Sequence, residues 1–122
     1  LGAGPGLTPA GDDFVGGAFF ARALLARASV VDGAAWRAAA VDVLHAARRA
    51  THPISAALLG DLMEGHGWAP LHDLVDALTT GAPVGHVLAS ARRLVAIGHS
   101  SGWDIFAGVV AGTLGRVARD DA

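Results

Sequence analysis

Two short stretches of the 122-residue chain carry the residue types that do chemistry. Near the start, Gly6-Leu7-Thr8-Pro9-Ala10-Gly11-Asp12-Asp13 sets a hydroxyl and two adjacent carboxylates among glycines and a proline. Near the end, Gly98-His99-Ser100-Ser101-Gly102-Trp103-Asp104 supplies an imidazole, two hydroxyls and a carboxylate. Each runs glycine, hydroxyl, glycine, aspartate and then an apolar helix with a further glycine one turn in. The shared order is a weak internal repeat. It predicts that both loops meet at the same end of two packed helices.

Glycines such as Gly6, Gly11 and Gly102 let backbone approach a ligand closely, and a helix start presents free amides. With Thr8, Ser100 and Ser101 as donors, those amides suit a small anion such as a phosphate or carboxylate. The aspartates do not, because a carboxylate beside an anion is repulsive unless a cation intervenes or its charge caps a helix. Asp12 has two readings, as N-cap of the first helix or as part of the site. For Asp13 and Asp104 the options are a shared Mg²⁺ or a hydrogen bond to a substrate amide. His99, set near either carboxylate, is the candidate acid–base group, its tautomer fixed by that contact. Ser100 and Ser101 lack the strand–turn–helix elbow of a nucleophilic serine, so they read as hydrogen-bond donors. The other five histidines are scattered singly, without the helical pairing of a zinc site.

The elements that must hold these loops read as helices. Gly11 or Asp12 caps a first helix running to about Ala28, apolar nearly all round and therefore central. A second covers Ala34 to about Ala50, with Trp36, Ala40, Val43, Leu44 and Ala47 on its buried stripe. Pro53 breaks the chain before a third helix, which ends near Gly65-His66-Gly67. A fourth ends at Thr80-Gly81, and Pro83 opens a fifth. The last, from about Trp103 to Arg119, places Trp103, Phe106, Val110, Leu114 and Val117 toward the core. Its Gly108, Gly112 and Gly115 share another face, each costing roughly 1 kcal/mol of helix propensity against alanine. A second helix packed very close offsets that cost, and Gly16-Gly17 offer the partner surface. No stretch alternates with period two. The expected architecture is all-α, a compact bundle of about six helices over residues 1–122, with the two glycine-rich polar loops leading into the first and last.

Composition excludes several classes. With no cysteine there are no disulfides, thiolate metal sites or cysteine nucleophiles. All nine basic residues are arginine, which removes Schiff-base and P-loop lysines. The net charge is −2, and the arginines form no cluster larger than a pair, so nucleic acid is not an expected partner. No uncharged apolar run reaches the roughly 18–20 residues of a membrane span, and no signal-peptide pattern is present, so a cytoplasmic setting is expected. Starting at Leu1 inside a glycine loop, the chain reads as the C-terminal part of a longer subunit.

Gly4-Pro5-Gly6-Leu7-Thr8-Pro9-Ala10-Gly11-Asp12-Asp13-Phe14, taken with Gly98 to Asp104 and Ala107-Gly108, resembles a family best known for the AllH-type subunit of bacterial oxamate carbamoyltransferase. The family pattern reads close to GPGLTPSGDDFL near its start and GHTSGxDxLxG near its end, with a Thr-x-x-x-Ser element between. Thr51 and Ser55 match that element, while Ala10 stands for serine and Ser100 for threonine. The resemblance implies a helical domain of a complex that moves a carbamoyl group between phosphate and oxamate during anaerobic breakdown of allantoin, a purine product. Other subunits of the transferase would be its partners.

Three functions compete. In the first, the loops hold carbamoyl phosphate or oxamate through Gly6, Thr8, Gly11, Asp12, Thr51, Ser55, Ser100, Ser101 and Gly102, with Asp13, His99 and Asp104 catalytic. In the second, Asp12, Asp13 and Asp104 gather Mg²⁺ for a hydrolase or ligase. In the third, the loops only cap helices, and the chain is a non-catalytic assembly module.

Overall fold

The computed structural model describes residues 1–3, 6, 8–98 and 100–120, the last six by backbone alone. Six helices follow one another: α1 (Ala10–Arg27), α2 (Ala34–Ala50), α3 (Pro53–Met63), α4 (Ala69–Thr80), α5 (Val84–Val95) and α6 (Ser101–Asp120). Among the described residues there is no strand, and no helix is long and apolar enough to cross a membrane. The all-α expectation holds, and the breaks fall where proline and glycine put them. Pro53 opens α3, and Gly81, at φ 68°, closes α4 in the left-handed conformation that glycine adopts without strain. His52 caps α3 through its ring, Nδ1 accepting from the Ile54 amide at 3.1 Å.

α1 is the central helix, touching α2, α3, α4 and α6. One core gathers Phe20 and Ala21 of α1 with Leu62, Leu71, Leu74, Leu94, Ile105 and Val109. A smaller one joins Ala47, Ala56 and Leu59 beneath the α2–α3 corner.

The α1–α6 contact is made by backbone. A methyl group built on Gly17 would lie 2.2 Å from the Ile105 carbonyl oxygen, and one on Gly108 would lie 2.0 Å from that of Phe14. One on Gly112 would lie 2.6 Å from the Ala18 carbonyl oxygen. Phe14 therefore faces Gly108 and Ala18 faces Gly112, so the two helices run parallel with their N-termini together. Parallel helices place like dipole ends side by side, and carboxylates in the first turn offset the resulting positive potential. Asp12 and Asp13 occupy that turn in α1, and Asp104 does so in α6.

Two expectations need correction. The buried face of α6 is Gly102, Ile105, Gly108, Val109 and Gly112; Phe106 packs against the core as expected, Trp103 is 60% and Leu114 57% exposed, and the Val117 side chain lies outside the described residues. Hydrophobic size misassigned the face, because the tightest contact is made by residues with no side chain. Asp12 does not cap α1 either. The helix begins at Ala10 with Pro9 before it, and the Asp12 and Asp13 amides both donate to the Pro9 carbonyl.

Candidate functional site

Thr8, just before α1, and Ser101, the first residue of α6, meet hydroxyl to hydroxyl at 3.1 Å. This contact joins the two loops across 93 residues of sequence, as their shared order predicts. Ser101 makes it, while Ser100 is exposed and lends its carbonyl to the Asp104 amide at 3.1 Å.

Beneath the hydroxyl pair lies Asp13, 2% exposed. Burial raises its pKa to about 6, the nearby Asp104 and Asp12 charges add to the rise, and the Ser101 and Thr8 hydroxyls oppose it. Asp13 and Asp104 thus both lie in the first turns of the paired helices, near enough for one charge to act on the other. In each carboxylate Oδ2 is buried and accepts no hydrogen bond among the described residues. Buried polar atoms are nearly always satisfied, and these two acceptors at the starts of α1 and α6 are exceptions.

Asp12, one residue earlier, points elsewhere and does different work. Its Oδ1 accepts from the Gly2 amide at 2.8 Å, and its Oδ2 accepts from the Thr51 and Ser55 hydroxyls at 2.5 and 2.6 Å. Burial alone would raise its pKa, but the donors from Ser55, Thr51 and Gly2 outweigh that and hold it below 3.8. This knot pins the α2–α3 corner and the N-terminal residues to the first turn of α1. Thr51 and Ser55 are therefore both engaged with Asp12. Removing the Ser55 hydroxyl (Ser55→Ala) leaves a buried carboxylate short of one donor and is expected to cost about 1.5–3 kcal/mol. Urea unfolding measures it; a loss below about 0.5 kcal/mol would deny the knot its structural role.

Among the described residues no group of three or more His, Cys, Asp or Glu is placed to hold a metal ion. Several amides at the two helix starts are already engaged: those of Asp12 and Asp13 donate to the Pro9 carbonyl, and that of Gly102 donates to the Ile97 carbonyl at 3.1 Å. Gly102 is a packing glycine, its Cα against the Leu94 carbonyl. Gly6, at φ 87°, and Gly11 have open space where a side chain would stand. The His99 expectation lies outside the described residues.

Compared with family models, residues 1–113 match the one described as oxamate carbamoyltransferase subunit AllH. The chain belongs to the AllH family. Comparison with curated proteins and with solved structures finds no match. For this AllH-family chain, sequence alone left Ser100 and Ser101 as equal candidates and passed over Gly2. One helical residue of offset decides the first, and the second rests on a backbone amide that leaves no trace in a side-chain pattern.

Proposed function

We propose that this chain is a subunit of an oxamate carbamoyltransferase-type complex in which Asp13 and Asp104 bind the amide end of the reacting molecules. The observation that carries this is the pair of buried Oδ2 atoms without a donor. Carbamoyl phosphate and oxamate each bear a primary amide, whose two N–H groups are donors for two such acceptors. A dianionic phosphate fits poorly beside two carboxylates, so its charge is met by other groups of the assembled complex. The loops therefore hold the neutral end of the substrate rather than its anionic end.

In the transfer, the oxamate nitrogen attacks the carbamoyl carbon, a C–N bond forms, and the C–O bond to phosphate breaks with its electron pair leaving on phosphate. The nitrogen loses one proton. Asp13, with a pKa of about 6, is ionised at neutral pH and basic enough to take it. Thr8 and Ser101 then donate to the carbonyl oxygen. Trp103 and Leu114, exposed and three turns apart on one face of α6, fit the contact with another subunit.

Thermal unfolding of the chain with oxamate tests this. At a hundredfold its dissociation constant oxamate is expected to add roughly 2.7 kcal/mol, and inorganic phosphate to add nothing comparable. No oxamate-dependent rise, or one unchanged by Asp104→Asn, would remove the proposal and favour an assembly module.

A further inference from the structure

A cavity lies away from the acidic pair. It has a volume of about 670 Å³ and opens between α1, α2 and α3, lined by Phe19, Arg22, Trp36 and residues around them. That lies within the roughly 300–1,000 Å³ of small-molecule sites. Arg22 stands nine residues beyond Asp13, about 13.5 Å further along the helix, so the two places are separate.

Its walls are braced. The Phe19 and Trp36 rings meet edge to face at 5.2 Å, and the Arg22 guanidinium lies over the Trp36 ring at 4.9 Å. Arg22 is 4% exposed. Arg27, fixed by donating to the Glu64 carbonyl, and Arg37 also line the space. Glu64 is the single acidic residue among the described lining residues. In a chain of net charge −2, three arginines around an apolar, aromatic-walled cavity concentrate positive charge where an organic anion would lie.

We propose that this cavity binds a planar organic carboxylate, its charge against the arginines and its flat body against Trp36. Arginine supplies the planar fork that matches a carboxylate, and the aromatic wall supplies the stacking surface. The site is additional to the amide-binding pair and independent of it.

The probe is 2-naphthoate, followed in the full-length chain by the NMR signal of the Trp36 indole N–H, assigned with Trp36→Phe. A saturable shift is expected, and the neutral isostere 2-naphthamide should bind at least about tenfold more weakly. Arg22→Met should weaken naphthoate by about the same factor. Ala40→Trp, which fills the cavity and leaves every arginine in place, should abolish the shift. Asp13→Asn should leave it unchanged, which separates this site from the acidic pair. An unmoved Trp36 signal, equal affinity for naphthoate and naphthamide, or binding that survives Ala40→Trp would overturn the proposal. So would self-association lost in Ala40→Trp without naphthoate binding, which would give the cavity to a second chain.

Discussion

Gly108→Ala is expected to cost the chain about 3 kcal/mol or more of stability, although alanine is the better helix former. In an isolated helix the change would gain about 1 kcal/mol. In this fold the new methyl would stand 2.0 Å from the Phe14 carbonyl oxygen and 3.0 Å from the Ala18 nitrogen. Both are backbone atoms, which no rotamer change can move aside. Relief requires α6 to withdraw from α1, which loosens the equally close contacts of Gly17 and Gly112 and parts Thr8 from Ser101. Gly85→Ala is the control. It lies exposed in α5 with nothing within 4 Å of the added methyl, and alanine there should stabilise by about 0.5 kcal/mol. Urea denaturation of both variants, followed by circular dichroism, gives opposite signs if the helix pair is built as described. A Gly108→Ala chain as stable as the parent would mean that the two helices do not touch through their backbones.

Asp13→Asn should have the reverse character, a more stable protein that works worse. The Asp13 pKa rises from 3.8 to about 6 on folding, so between those values the folded chain holds a proton that the unfolded chain has released. Its stabilising contribution is complete below pH 3.8 and is lost as pH rises through 6. The swing is on the order of 2–3 kcal/mol. Asp12 acts in the opposite sense. Its folded pKa is depressed, its contribution is lost only as pH falls below 3.8, and the two windows do not overlap.

Asparagine keeps the shape and removes the charge. Stability at pH 7.5 should rise by about 2–3 kcal/mol over the parent, while at pH 4 the two should nearly agree. Carbamoyl transfer by the assembled complex should fall about a hundredfold or more, because the amide nitrogen loses its proton acceptor. Parallel pH–stability curves would show that Asp13 does not titrate as described. The stability change with unimpaired transfer would leave the acidic pair without a catalytic part.

Much of this chain was legible in its sequence. Proline and glycine act locally, through φ and the missing amide proton, so Pro53, Gly81 and Pro83 marked helix ends that the structure keeps within a residue or so. The parallel between Gly6–Asp13 and Gly98–Asp104 announced that the loops meet, because equivalent patterns at two helix starts pack equivalently. The glycines of α1 and α6 likewise declared a close crossing through their own propensity cost. Tertiary structure alone decided which carboxylate does what. Asp12 and Asp13 are neighbours of identical chemistry, and one residue of helix, about 100° of rotation, sends the first to Thr51 and Ser55 and the second to Ser101 and Thr8. The same rotation chose Ser101 over Ser100 and turned Trp103 outward. Residue type and spacing say which groups come near one another; burial and direction, which set charge and hence chemistry, exist only once the helices have packed.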